Sequence, residues 1–173
     1  MKASDAAFRA EEYFRMDSLR LALNGDGVNP GFAKIADKYS GTRAGELASY
    51  YAGVISLQLN DPTKAAKYLS DFSTDAPQVQ ARAYKLLADA QAEQGKNADA
   101  FTNYKKAAHH FEQDEANASE YLFTAAYFAH RILNDSKGAT DLYRELKTKF
   151  PRTQRGIEAD KYLAQLGVYS NDK

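Results

Sequence analysis

The sequence predicts an all-α fold, in which antiparallel helical hairpins stack as an α-solenoid of about nine helices, the last one a C-terminal cap. Three observations predict it. Leu and Ala recur at helical spacing, and no β-branched alternation runs long enough to read as a strand. Sliding the chain against itself by about 35 residues brings up an internal repeat. Asp, Asn, Thr, Gly and Pro punctuate the chain at hairpin intervals.

The repeat is carried by three sets of residues. The first is Gly53, Ala65, Leu69, Phe72 and Pro77. The second is Ala88, Ala100, Tyr104 and Ala107, and the third is Tyr127, Ala139, Tyr143, Leu146 and Pro151. In each set the second member lies twelve residues after the first, and the third lies four further on. A small residue on one helix meets a small residue near the start of the next, so the two helices approach closely. The side chain four residues on lies one turn along the same face. Proline then stops the second helix. Tyr127 is bulky where the other repeats have Gly or Ala, so either the helices of the third repeat sit further apart or its register is off by one. The spacing from the second repeat to the third is four residues longer, and the surplus is expected in a loop at Gln113–Ser119.

Start and stop signals place each helix. Helix one runs from about Asp5 to Leu23 and ends in Asn24-Gly25-Asp26-Gly27. Helix two follows Pro30-Gly31 and reaches Tyr39. Helix three starts after Thr42 and ends near Leu59. Asp61 caps helix four, with Pro62 in its first turn. Helices five and six fill about 78–94 and 98–111, split by Gly95-Lys96-Asn97. Helices seven and eight fill about 118–133 and 136–150, split by Asn134-Asp135. Helix nine, about 154–166, ends at Gly167 and caps the stack.

The N-terminal stretch echoes a later one. Phe32, Ile35, Tyr39, Thr42 and Gly45 match Tyr143, Leu146, Phe150, Thr153 and Gly156. The expected organisation is one domain over 1–173. It comprises a degenerate hairpin (1–42), repeats at 43–77, 78–112 and 117–151, a capping helix (153–167) and a loose tail (168–173).

The second repeat carries the family resemblance. Tyr84, Leu87, Ala88, Gly95, Ala100, Tyr104 and Ala107 resemble the tetratricopeptide-repeat (TPR) pattern in residue type and spacing. The first repeat keeps Gly53, Ala65 and Pro77, and the third keeps Ala139, Tyr143 and Pro151. The whole chain, most clearly 44–166, resembles TPR domains of bacterial envelope proteins, and the segment from Ala22 to Gly53 resembles those of the Bacteroidetes group. These include the membrane-anchored ancillary subunit of the Sec translocon and outer-membrane assembly lipoproteins. The resemblance implies a right-handed solenoid that binds a protein or peptide in its concave face. It also implies a place on the periplasmic side of a bacterial membrane, with an anchor preceding this segment; the cytoplasm is the alternative.

Composition bounds the function. The 173 residues contain 23 Lys plus Arg and 23 Asp plus Glu, which gives no basic excess for gripping nucleic acid. Apolar and cysteine residues make 44% and charged residues 27%, a balance that argues against disorder. The chain has no cysteine, so disulfides and thiolate sites are excluded. No apolar run reaches the roughly 18 residues that span a bilayer. There is no phosphate-binding Gly-rich loop and no G-x-S-x-G elbow. No enzyme activity, cofactor, metal or small-molecule substrate is expected.

Several motifs invite chemistry, and each has a plainer reading. His109 and His110 lie near Glu112, Asp114 and Glu115, but adjacent helical residues point about 100° apart, so polar helix-end residues are expected. His130 falls at a packing position. Asn24–Asn29 resembles a calcium loop but lacks its fifth ligand and closing glutamate, so turn chemistry is expected. Asn117-Ala118-Ser119 spells a glycosylation sequon. A serine hydrolase would need one of the three histidines beside a serine.

The better candidate is the groove that the resemblance implies. The TPR groove offsets fall on Leu47, Tyr50, Tyr51 and Val54 in the first repeat. In the second they fall on Arg82, Lys85 and Asp89, and in the third on Tyr121, Thr124, Phe128 and Arg131. Aromatics beside Arg and Lys suit protein recognition; the plainer reading makes several of these residues, Val54 and Phe128 above all, packing residues in a slightly shifted register. The two-carboxylate clamp of chaperone-binding TPRs is not matched, because Tyr50 and Val54 stand at its positions. The alternative is a self-association module that buries this same surface in a homo-oligomer.

Overall fold

Residues 3–169, with side chains from Ala6 onward, are described by the computed structural model. They form ten helices: α1 (Ala3–Arg15), α2 (Leu19–Asn24), α3 (Phe32–Lys38), α4 (Arg43–Gln58), α5 (Pro62–Ser70), α6 (Pro77–Glu93), α7 (Asn97–His110), α8 (Glu115–Arg131), α9 (Ser136–Lys149) and α10 (Gln154–Gln165). Among the described residues there is no strand, only an isolated bridge between Gly25 and Pro30. Among the described residues no helix is long and apolar enough to cross a membrane. The described residues are therefore all-helical, with neighbouring helices packed in sequence order from α1 to α5 in one unit and from α7 to α10 in the other. The end of the expected loose tail, 170–173, lies outside the described residues.

Helix boundaries follow local chemistry. The side chains of Thr42, Asp61, Asp114, Asp135 and Thr153 accept hydrogen bonds from backbone N–H groups three residues on, capping α4, α5, α8, α9 and α10. Pro62 occupies the first turn of α5, where its missing N–H is not needed.

The predicted first helix is two helices. Asp17 adopts φ 56°, and the Ser18 N–H donates to Tyr13 O at 2.8 Å. That is a left-handed helix stop with Asp where glycine is usual. Asn60 ends α4 the same way, with φ 57° and Asp61 N–H donating to Ser56 O. The four surplus residues also sit elsewhere than predicted. The connection after α7 is short, and most of 113–119 lies within α8. Three of the four fall in α7 and the connection after it, α7 having 14 residues where α5 has 9, and the fourth falls in the turn after α8.

The helices form two compact units: residues 1–75 with 89–94, and 76–88 with 95–173. The expected three repeats and N-terminal hairpin are distributed over both. In the first unit, Phe32, Ile35, Ala36, Ala48, Ala52 and Ile55 join Ala10, Ala22 and Leu23 in one apolar core. Gly53 lets α5 approach α4: an added Cβ would lie 2.5 Å from Leu69 Cγ. Ala65 is fully buried. The hairpin contact read from the sequence is thus present here, with Leu69 as the nearest side chain.

In the second unit the third repeat is shifted by one. Tyr127 is 43% exposed, while Ala126 is fully buried. Ala126 stands five residues before the last residue of α8, as Gly53 does in α4 and Ala88 in α6. The cause is the end of α8. Asp135 N–H reaches back to Ala129 O, one residue further than Asp61 N–H reaches to Ser56 O. The wider turn takes up one residue, so the small position moves from 127 to 126. Tyr127 therefore does not force the two helices apart.

The echo between 32–45 and 143–156 is structural and extends further along both segments. Phe32 and Tyr143 are buried, and so are Ile35 and Leu146. Thr42 Oγ1 donates to Tyr39 O at 2.7 Å and accepts from Gly45 N at 3.1 Å. Thr153 Oγ1 donates to Phe150 O at 2.9 Å and accepts from Gly156 N at 3.1 Å. Tyr51 stacks on Phe32 at 4.8 Å, and Tyr162, at the matching place, stacks on Tyr143 at 5.3 Å; both ring pairs are 16° from parallel. A third ring meets each stack edge-on, Phe14 in one unit and Phe123 in the other. The helix expected as an end cap, α10, thus has the packing of a repeat-forming helix, α4.

Candidate functional site

The candidate groove residues divide between the units. In the first unit, Leu47 on α4 is 46% exposed, and Tyr50 and Val54 are half-buried. Tyr50 packs against Phe72 at 5.2 Å and against Tyr51 at 6.1 Å. Tyr51 is committed inward by its stack on Phe32 and its edge contact with Phe14. Asp89, in the part of α6 that belongs to this unit, is half-buried. The residues available to a partner here are Leu47 and the outer parts of Tyr50 and Val54.

In the second unit, Arg82 is exposed and Lys85 is half-buried. Tyr121 and Thr124 are half-buried, and the Thr124 hydroxyl donates to Glu120 O at 2.8 Å. Phe128, expected on the groove, is only 8% exposed and packs its ring against Tyr104 at 5.2 Å. The one-residue shift accounts for this, because it turns Tyr127 outward and Phe128 inward. Arg131 is exposed, lies over the Tyr127 ring at 5.9 Å and donates to Gln165 at 3.2 Å.

Sequence reading missed the cluster that this shift creates. Phe123 packs against Tyr127, Tyr143 and Tyr162, and the Arg155 guanidinium lies over its face at 4.0 Å. Arg155 Nε donates to both Glu120 oxygens at 3.0 Å, and its Nη1 to Glu158 at 3.1 Å. The signal was in the sequence: Ala125-Ala126 offers a small residue one place before Tyr127.

The three histidines are held by other groups. His109 uses its two ring nitrogens on the Lys105 carbonyl and Glu145 Oε1, each at 2.8 Å. His110 lies edge-on to Tyr84 at 5.4 Å. His130 keeps an unpartnered buried Nδ1, and burial, with Arg131 nearby, pushes its pKa down. None has a serine among its described hydrogen-bond partners.

His109, Glu112 and Glu145 bring ligand atoms within 4.8 Å of one another. A cation already sits among them: Lys149 Nζ is 2.6 Å from Glu112 and 3.0 Å from Glu145. Burial pushes the Glu145 carboxyl up, but hydrogen bonds from Lys149 and His109 outweigh it and leave its pKa below the ordinary 4.5. A depressed carboxylate stabilises the fold above its unfolded pKa, and this contribution is lost as pH falls through the folded value. Glu145→Gln should therefore be less stable than wild type at pH 7. The gap should shrink below pH 4.5, as paired denaturation curves would read. A pH-independent gap would show that the network contributes only packing.

The 24–30 loop is organised by Asp26. Its carboxylate accepts from Tyr13 Oη at 2.8 Å, Val28 N at 2.9 Å, Asn29 N at 2.6 Å and Asn29 Nδ2 at 2.9 Å. Those donors hold its pKa well below the usual carboxylate range. Both oxygens serve the turn, as the turn reading of Asn, Gly and Asp expects.

No protein-family model matches the sequence, and no curated protein matches it.

Proposed function

We propose that this chain is a helical-repeat scaffold of the tetratricopeptide type, a right-handed solenoid that binds a protein or peptide and performs no catalysis. The supporting observation is what the first helices of the hairpins leave uncovered. Large apolar or aromatic side chains, Leu47 on α4 and Tyr127 on α8, stand exposed, and Arg131 lies over the Tyr127 ring. Core packing does not need exposed aromatics beside Arg, whereas protein recognition uses them. Arg82 on α6 adds a second exposed guanidinium. Extended or helical peptides suit such surfaces, because apolar anchors supply affinity and Arg forks supply register. The envelope setting implied by the family resemblance is part of the same proposal.

Self-association would use the same side chains, so solution size decides between the two. Sedimentation equilibrium should give a monomer over the micromolar range. A stable dimer that dissociates in Leu47→Asp or Tyr127→Asp would overturn peptide binding in favour of self-assembly.

A further inference from the structure

A cleft of about 200 Å³ opens in the first unit between α3, α4 and α5. Three carboxylates line it: Asp37 from α3, Glu46 from α4 and Asp71 at the end of α5. Asp37 is engaged at the rim by Lys67 at 3.4 Å, and Glu46 only loosely by the Ser73 hydroxyl at 3.4 Å. Asp71 makes no ion pair among the described residues. Acidic residues alone would not mark a site, since solvated carboxylates are common.

Two hydroxyls in the same cleft point to a ligand. Ser49 is 8% exposed and Tyr68 is 6% exposed, and both line the cavity. Neither hydroxyl has a hydrogen-bond partner among the described residues. Both residues are held in place by burial while their hydroxyls open onto the cleft, where they offer two fixed polar partners to an occupant. Burial and the nearby Asp37 push the Tyr68 phenol up, which keeps it a neutral hydroxyl.

We propose that this cleft binds a guanidinium group. The charge of the lining selects a cation, and the spread of the acceptors selects its shape. The three carboxylates do not bring three oxygens within 4.8 Å of one another, the separation that a shared metal ion would need. An ammonium concentrates its donors on one nitrogen, whereas guanidinium spreads five N–H groups over a plane. A planar fork can address several of these acceptors at once. The Tyr68 ring already carries a cation, Lys67 Nζ at 4.8 Å. The source of the guanidinium is a free small molecule or an arginine of a peptide. The site does not rest on the groove reading, since it shares no residue with it.

Amide-resolved NMR titration at constant ionic strength tests it. Argininamide should give saturable shifts at Ser49, Tyr68 and Glu46, with a dissociation constant of about 1 mM. Glu46→Gln and Asp71→Asn should each weaken this about threefold, as expected for a partly exposed ion pair. Glu120→Gln, in the other unit, should leave it unchanged, and circular dichroism confirms that each variant folds. n-Butylamine should bind more weakly. A Gly-Arg-Gly peptide binding more tightly than argininamide would assign the site to a peptide arginine, and equal binding to a free guanidinium. The proposal is overturned if no saturable shift occurs at these residues. It is also overturned if butylamine matches argininamide, or if both acid-to-amide variants bind as wild type.

Discussion

Gly156→Ala should lower the stability of the fold by about 3 kcal/mol. An added Cβ at Gly156 would lie 1.9 Å from Phe150 O, a backbone atom. That carbonyl cannot yield alone, because it accepts from the Thr153 hydroxyl at 2.9 Å and the Thr153 N–H at 3.1 Å. Moving it breaks the turn and the Thr153 cap of α10. A lost cap costs about 1 kcal/mol and each lost hydrogen bond about as much. Gly45→Ala should behave alike, since its Cβ would meet Tyr39 O at the same 1.9 Å. Ile157, the next residue along α10, is 69% exposed, so Ile157→Ala should stay within about 0.5 kcal/mol of wild type. Urea denaturation of the three variants reads all these effects. A Gly156→Ala protein within about 1 kcal/mol of wild type would show that the turn is not rigid.

Tyr143 should give effects of opposite sign from two substitutions. Its side chain is fully buried, stacked on Tyr162 and flanked by Phe123 and His130. Tyr143→Ala removes that ring and should cost about 4 kcal/mol. Tyr143→Phe removes only the hydroxyl, which is buried and has no partner. An unpaired buried hydroxyl costs about 1 kcal/mol or more, so Tyr143→Phe should be as stable as wild type or more so. The first unit has already made that substitution: Phe32 fills the matching place against Tyr51. Burial also pushes the Tyr143 phenol well up, so one of the 12 tyrosines should resist alkaline titration in the folded protein. A clear loss of stability in Tyr143→Phe would mean that the hydroxyl makes a hydrogen bond through water.

Much of the fold was legible because its signals are local. Thr42 and Asp61 cap helices where their side chains and neighbours predict. The pairing of 32–45 with 143–156 was readable because stacking and turn chemistry need the same residue types twice. Three features were harder to read. Asp17 stops a helix without glycine or proline, and Asp in the left-handed region is uncommon. The added residue in the turn after α8 changes only which carbonyl Asp135 N–H reaches, so its one signal is the small pair Ala125-Ala126 ahead of Tyr127. The other surplus residues went into α7 and the connection after it, because a helix accepts extra turns as readily as a loop does.

The site suffered from the same slip. A one-residue register error on a helix rotates each assignment by about 100°. It turned Phe128 outward on paper where the structure buries it, and it passed over Tyr127, which the structure exposes. The first-repeat residues were placed from an undisturbed register. Tyr51 still went to the core, because its stacking partner Phe32 lies outside the repeat from which the groove positions were mapped. The acidic cleft had no sequence signal at all. Asp37, Glu46 and Asp71 come from three helices, and their spacing matches no motif.

The proposed peptide-binding side chains are Leu47 on α4 in one unit and Arg82 on α6 and Tyr127 on α8 in the other. The most direct measurement is a peptide-display selection on the wild-type protein, followed by calorimetric titration of the enriched sequences. Peptides with apolar or acidic anchors should be enriched. Leu47→Asp, Arg82→Glu and Tyr127→Ala, each folded by circular dichroism, should weaken them about tenfold or more. Failure to enrich any peptide, or equal affinity in wild type and all three variants, would contradict this proposal.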